Sequence, residues 1–228
     1  MNNKCANCHT ELTHNAKFCC ACGQSTRSFR RPFVAFVKES FHELLDIDGR
    51  LSLTIKTLLL KPGLASYEYD LGKRNKYTPP LRLYLVISLV FFLLLSSFQH
   101  IYSGHASPES ITTHYSRAMF VLFPLFALLV KVFYRASYYL SNLVFSIHLH
   151  CMAYLVLMVI APLEAFEQNH LVLSLLQLPP SLYFVWYFAV TFKTMFRQSW
   201  WLSAAKALGI FTIYMGAMGI VFDVFLMQ

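Results

Sequence analysis

Residues 140–163 read LSNLVFSIHLHCMAYLVLMVIAPL and contain no Asp, Glu, Lys or Arg. A helix that crosses the hydrocarbon core of a bilayer needs roughly 20 consecutive apolar residues. The run is therefore predicted to be a transmembrane helix. The whole chain has the same character, because 57% of its 228 residues are hydrophobic and only 13% are charged, against about 25% in ordinary soluble domains. This composition excludes a soluble globular protein.

Further apolar runs lie on both sides of this one, and most of the charged residues precede them. The predicted fold is an all-α integral membrane protein with about five transmembrane helices, preceded by interfacial amphipathic helices and a small N-terminal zinc ribbon. The predicted spans are 81–98, 119–134, 140–163, 171–192 and 204–227. The corresponding domains are the ribbon at 1–24, a basic connector at 25–80 and the transmembrane domain at 81–228.

The fourth span contains Pro179 and Pro180, which lack the backbone N–H that a helix in lipid needs. Either the span is kinked at the prolines, or the preceding residues lie at the interface and the crossing begins at Pro180. Both alternatives keep the same topology.

The loops alternate in their content of Lys and Arg. The segment before the first span is basic, the loops 99–116 and 164–170 contain no Lys or Arg, and basic residues return near both other loops, at Lys131, Arg135, Lys193 and Arg197. The positive-inside rule then places the N-terminus in the cytoplasm and the C-terminus outside. Residues 1–23 contain no continuous apolar stretch, so no signal peptide is predicted there.

Four cysteines near the N-terminus form two C-x2-C pairs. Cys5 and Cys8 make the first pair, and Cys19 and Cys22 make the second. Two such pairs supply the four thiolates of a tetrahedral structural zinc site and leave no open catalytic position. About twenty residues cannot bury a core, so the metal is expected to supply the folding energy of this segment.

Zinc is preferred over the other uses that four cysteines allow. A reducing compartment argues against disulfides, and an iron–sulfur cluster also accepts four cysteines. Cys20 lies inside the second pair and breaks its spacing, so it is interpreted as a bystander. His9 and His14 are interpreted as polar surface residues rather than ligands.

The connector at 25–80 combines amphipathic helical patterns with many basic residues. Such a segment beside a span favours the headgroup layer and anionic lipid. A basic stretch beside a zinc ribbon also suits nucleic acid, but acidic residues such as Glu39 and Glu43 interrupt it. The membrane surface is therefore preferred and nucleic acid is disfavoured.

Two spans carry residues that stand out from their apolar surroundings. In the third span, His148 and His150 are two positions apart, about 200° around a helix, so they cannot share one metal ion. Each is a candidate for an intramembrane role, and the simplest is a hydrogen bond to a neighbouring helix.

In the fifth span one face of small residues favours close helix packing, against another span or a second copy: Ala205, Gly209, Thr212, Gly216 and Gly219.

Several motifs beyond the cysteine pairs carry a family resemblance: Lys61-Pro62-Gly63, Gly72-Lys73-Arg74 and the run from Tyr77 to Tyr84. With them the chain resembles an uncharacterised group of bacterial inner-membrane proteins, a domain of unknown function headed by a zinc ribbon. The resemblance implies a bacterial cytoplasmic membrane and a ribbon followed by helices, and it implies no activity. It draws attention to a basic cluster that suits a lipid headgroup or an acidic partner: Lys61, Lys73, Arg74, Lys76 and Arg82.

Three functions are consistent with these patterns. The first and preferred one is a membrane-anchored adaptor whose ribbon and basic connector bind a cytoplasmic protein. The second is a small transporter or lipid-handling protein, and the third is an intramembrane haem or redox protein that uses His148 or His150. No nucleophile elbow, phosphate loop or HExxH pattern points to an enzyme.

Overall fold

The computed structural model describes residues 4–5, 7–13, 16–23, 49–102, 108–166 and 171–226. His14 and the predicted amphipathic segment at 25–48 lie outside these residues. The chain divides into two compact units, Met1–Leu44 and Leu45–Gln228. The described residues form helices and no strand, with one isolated antiparallel bridge between Lys4 and Glu11. The prediction of an all-α architecture is confirmed.

The second unit is built from helices joined by short connections. They are α1 (Arg50–Leu60), α2 (Leu64–Asp70), a 3₁₀ turn (Arg74–Lys76), α3 (Pro80–Tyr102), α4 (Pro108–Phe133), α5 (Tyr139–Ala165), α6 (Leu171–Leu176), α7 (Leu178–Phe196) and α8 (Trp200–Leu226).

Four stretches of the described residues are long and apolar enough to cross a membrane, namely Arg74–Phe98, Tyr139–Glu164, Val172–Phe196 and Trp200–Val221. They correspond to the first, third, fourth and fifth predicted spans, and the chain is therefore a membrane protein. The second predicted span, 119–134, corresponds to a shorter apolar stretch, Phe120–Phe133, at the C-terminal end of α4.

The two prolines of the fourth span occupy the first turn of α7. The helix breaks at Gln177, and α7 begins at Leu178 with Pro179 and Pro180 directly after it. A helix leaves its first N–H groups without intrahelical acceptors, so proline costs little there. Because Val172–Phe196 is one apolar stretch long enough to cross, the choice between a kinked span and a crossing that begins at Pro180 stays a prediction.

Helix α5 is the centre of the transmembrane bundle and packs against α3, α4, α7 and α2. Its apolar residues are spread around the whole helix, as expected for a helix whose surroundings are apolar on every side, whether protein or lipid. Phe145, Met152 and Tyr154 are almost completely buried. The polar side chains of this span, including His148 and His150, are consequently buried among other helices rather than exposed to lipid.

Helices α1 and α2 form a hairpin that packs on the bundle. Thr54 of α1 links the hairpin to the residues just before α3. The Thr54 hydroxyl accepts a hydrogen bond of 3.0 Å from the backbone N–H of Thr78. At the turn, Gly63 has a φ of +76° and lies against α7. Farther along α7, the Tyr183 hydroxyl donates to the carbonyl of Leu59. The hairpin therefore contacts α7 over about two helical turns.

Candidate metal centre and basic cluster

The four predicted cysteine ligands come together in space. The Sγ atoms of Cys5, Cys8, Cys19 and Cys22 all lie within 4.8 Å of one another. Cys5 Sγ lies 3.6 Å from Cys22 Sγ, and Cys8 Sγ lies 3.5 Å from Cys19 Sγ. A tetrahedral ion with metal–sulfur bonds of about 2.3 Å holds its sulfurs about 3.8 Å apart, whereas a disulfide needs about 2.0 Å. The donor set therefore fits a metal ion.

The two C-x2-C pairs adopt the same turn. The backbone N–H of His9 donates to the carbonyl of Cys5 at 3.0 Å, and that of Gly23 donates to the carbonyl of Cys19 at 2.9 Å. The residue after each pair is left-handed, with φ of 58° at His9 and 72° at Gly23. Each turn thus directs two thiols at the same point, and the equivalence of the turns gives His9 a backbone role.

Hydrogen bonds prepare one of the thiols for metal binding. Cys8 Sγ lies 3.2 Å from Thr10 Oγ1. Hydrogen bonds from the side chain and the backbone of Thr10 stabilise the thiolate and lower the pKa of Cys8 to about 6. Because the thiolate is the metal ligand, the lowered pKa reduces the cost of losing the proton on metal binding.

Cys20 is exposed and is not a member of the four-cysteine group.

The basic cluster is organised by one carboxylate that the sequence patterns did not single out. Glu68 is on α2, and its carboxylate accepts hydrogen bonds from Lys73 at 2.9 Å, from Lys76 at 2.5 Å and from the hydroxyl of Tyr77. Hydrogen bonds from Lys76, Tyr77 and Lys73 hold the pKa of Glu68 at about 2. The carboxylate is therefore ionised and ties the loop after α2 to the helix itself.

The other predicted cations of the cluster occupy different surroundings. Arg74 lies over the ring of Tyr69 at 5.8 Å, Lys61 is exposed at the turn before α2, and Arg82 is half-buried at the start of α3. Lys73, Arg74 and Lys76 thus belong to one loop, and Lys61 lies at the opposite end of α2. A further cation comes from α7, because Arg197 lies 5.1 Å from the ring of Tyr67.

His150 acts as a hydrogen-bonding residue between spans. Its Nδ1 lies 2.8 Å from the carbonyl oxygen of Ser146, and its Nε2 lies 2.8 Å from the hydroxyl of Tyr214 on α8. Both ring nitrogens therefore have partners, and binding of haem iron would require one of these hydrogen bonds to break. The structure thus gives His150 the simplest of the roles considered for it.

His148 joins α5 to the hairpin instead of to another span. Its Nδ1 lies 2.9 Å from the hydroxyl of Ser66 on α2, and Tyr69 packs edge-on against its ring at 6.4 Å. Within the described residues, Nε2 has no hydrogen-bond partner. The sequence shows a histidine in a span but gives no sign that its partner precedes the first span.

The small-residue face of α8 is only partly used for contacts within the chain. A Cβ placed on Gly209 would lie 3.4 Å from Phe133 of α4, an ordinary contact distance. The other members of the face, Ala205, Thr212, Gly216 and Gly219, are exposed. Contact with a second copy through this face stays a prediction.

Comparison with known proteins finds one similarity. Residues 48–92 match a family described as a protein of unknown function (DUF3667). No curated protein and no solved structure matches the chain. The matched segment comprises α1, α2, the loop with Lys73, Arg74 and Lys76, and the first part of α3, and it leaves out the four cysteines. Over the hairpin and the start of the first span, the chain is similar to a family of unknown function.

Proposed function

We propose that this chain is a membrane-anchored adaptor whose N-terminal segment is a structural zinc ribbon that binds a cytoplasmic protein. The convergence of four cysteine Sγ atoms within 4.8 Å carries the proposal. Four thiolates close the coordination of a tetrahedral zinc ion and leave no position for a substrate. A closed site stabilises a small surface rather than performing chemistry, and such a surface serves recognition.

Phe18 is the residue of the ribbon that suits contact with a partner. Its side chain is 64% exposed, although it directly precedes the ligand Cys19. An exposed aromatic ring next to a metal-fixed turn loses little conformational entropy on binding, and aromatic residues are enriched among those that dominate interface energies. The ribbon therefore presents a rigid apolar anchor whose position depends on the metal.

The rest of the proposal concerns the membrane and its lipids. The distribution of Lys and Arg supports a cytoplasmic N-terminus and an external C-terminus, and the family resemblance supports a bacterial inner membrane. Arg74, at the loop after α2, is exposed and suits anionic headgroups. The exposed small residues of α8 suit a homo-oligomer.

Metal analysis of the purified full chain tests the zinc assignment. We expect one zinc per chain in the wild type and in Cys20→Ser, since Cys20 is outside the group of four. Cys19→Ser removes a buried ligand and is expected to lose the zinc. Iron in place of zinc, or zinc retained in Cys19→Ser, would contradict the assignment.

Site-specific cross-linking in living cells tests the adaptor role. A photoreactive amino acid in place of Phe18 is expected to give a defined adduct with a cytoplasmic protein. That adduct should persist in Cys20→Ser and disappear in Cys19→Ser while membrane insertion is unchanged. The same photoreactive group at Leu182, an exposed position on α7, is the control for nonspecific capture. An adduct that survives Cys19→Ser, or none from position 18, would refute the adaptor role.

A further inference from the structure

A cavity of about 670 Å³ lies between α4, α5, α7 and α8. Its volume is in the range of small-molecule sites, roughly 300–1,000 Å³. None of its lining residues is charged. The wall is almost entirely apolar, and its side chains include Leu149, Val156, Phe184, Phe188, Ala207 and Met215.

His150 and Tyr214 place a polar group on this wall, and their hydrogen bonds fix the tautomer of the histidine. A carbonyl oxygen only accepts, so the Nδ1 that lies 2.8 Å from the Ser146 carbonyl must carry the proton. In a neutral imidazole the other nitrogen is then an acceptor. The Tyr214 hydroxyl, 2.8 Å from Nε2, therefore donates its proton to His150.

The hydroxyl of Ser146 is consistent with this assignment. It lies 2.6 Å from the carbonyl oxygen of Phe123, which can only accept, so the serine proton is used there. Its oxygen, 3.4 Å from His150 Nδ1, is left as an acceptor and does not compete for the role of donor to the ring.

Two hydroxyls of the cavity wall, those of Tyr214 and Ser181, therefore offer lone pairs rather than protons. The Tyr214 hydroxyl donates its hydrogen bond to His150, and the Ser181 hydroxyl donates to the carbonyl of Gln177 at 2.8 Å. Tyr154 is buried, with its hydroxyl 3.3 Å from that of Tyr84. A ligand that satisfies the Tyr214 oxygen must bring an O–H or N–H of its own. A carboxylate or phosphate would instead face another acceptor.

The level of Tyr214 along its helix restricts the ligand further. Tyr214 is about 21 Å from the start of α8, and His150 is about 16 Å from the start of α5, at 1.5 Å per residue. Both residues thus lie near the middle of helices that cross the bilayer. A charged headgroup is costly at that depth, so an ordinary phospholipid would bring only acyl chains to this position.

We propose that the cavity binds a neutral lipid alcohol, with its apolar chain along α7 and α8 and its hydroxyl donating to the oxygen of Tyr214. This site is separate from the zinc ribbon and goes beyond the adaptor function. The apolar wall accommodates the chain as lipid tails do, and the acceptor oxygen of Tyr214 selects the alcohol from lipids that lack a donor.

Two photoreactive probes test the proposal, one with a hydroxyl donor and one in which a methyl group replaces the hydroxyl proton. The purified chain in phosphatidylcholine vesicles is exposed to a diazirine-bearing hexadecanol or to its methyl ether, and labelled peptides are quantified. The alcohol is expected to label the Met215 region about fivefold more than the ether, since one hydrogen bond contributes about 1 kcal/mol. In Tyr214→Phe the two probes should label equally.

Two size variants separate binding in the cavity from binding on the lipid-facing surface. Ala207→Phe places a ring in the cavity and should reduce labelling by both probes, whereas Leu182→Phe, at an exposed position outside the cavity, should not. Equal labelling of the wild type by alcohol and ether overturns the proposal, even if Tyr214→Phe fails to fold. Unchanged labelling in Ala207→Phe also overturns it. Neither result bears on the zinc ribbon, whose residues take no part.

Discussion

Ser66 and His148 are 82 positions apart in the chain, and their side chains lie 2.9 Å apart, from Ser66 Oγ to His148 Nδ1. Both residues are buried. The hydrogen bond links a short helix that precedes the first span to the central helix of the bundle. The matched family segment, residues 48–92, is thus built into the transmembrane domain.

Replacing Ser66 by Ala is expected to destabilise the chain by about 1–3 kcal/mol. The change leaves a buried imidazole nitrogen without its partner, and an unmet polar group in the interior costs about this much. Thermal unfolding in detergent should show a midpoint lowered by several degrees. Ser97→Ala is the control, because Ser97 is exposed and donates only to the carbonyl of Leu93 in its own helix. An equal effect of both variants would contradict the structural role of Ser66.

Gly63→Ala is expected to displace the hairpin from α7. A Cβ at position 63 would lie 2.7 Å from the carbonyl oxygen of Thr191 and 2.9 Å from the Cβ of Thr194, both on α7. Backbone atoms cannot yield as a flexible side chain can, and the φ of +76° adds strain. Gly72→Ala is the matched control, since Gly72 has a φ of +91° with open space around it. It should cost about 1–2 kcal/mol.

The difference between these two variants isolates the packing of the hairpin. Protease sensitivity at the 61–63 turn and thermal unfolding are the measurements, and Gly63→Ala should exceed Gly72→Ala in both. Equal losses would mean that only the backbone conformation matters at position 63.

The sequence predicted the parts of this structure that depend on local pattern. The helices follow from long apolar runs, and the four-cysteine cluster follows from two C-x2-C pairs whose spacing brings four thiols together. The role of Pro179 and Pro180 was limited to two alternatives because proline lacks an N–H wherever it lies. In each case the physical cause acts within a few residues.

The relationships between distant residues could not be predicted in this way. The charges of the connector at 25–80 predicted a segment at the membrane surface, and nothing local indicates that Thr54, Ser66 and Gly63 contact residues from position 78 onwards. Nothing in the pattern of charges indicates that Glu68 pairs with both Lys73 and Lys76. The cavity is lined by residues of α4, α5, α7 and α8, so no single helix reveals it.

Glu68→Gln is expected to lower stability by about 1–2 kcal/mol at pH 7, because it removes the charge that Lys73, Lys76 and Tyr77 share. The ordinary pKa of 4.5 falls to about 2 in the folded chain. The ionised carboxylate therefore adds stability that is fully present above about pH 4.5 and is lost as the pH falls towards 2. Unfolding midpoints of the two proteins should differ by a constant amount from pH 8 to 5.5 and converge below. A constant difference down to pH 3 would show that the carboxylate charge is not the cause.

Gly23→Ala is expected to weaken zinc binding by roughly 5- to 30-fold. Gly23 has a φ of +72° with no atom near a Cβ placed on it, so the cost is conformational and amounts to about 1–2 kcal/mol. In the proposed zinc ribbon the metal supplies the folding energy of so small a segment, so that strain is expected to appear directly as lost affinity. Gly23→Asn should lose less, since Asn accepts the left-handed conformation more readily. Competition with a chelator on the full chain measures all three affinities. An equal loss in Ala and Asn would point to the added side chain rather than to the backbone.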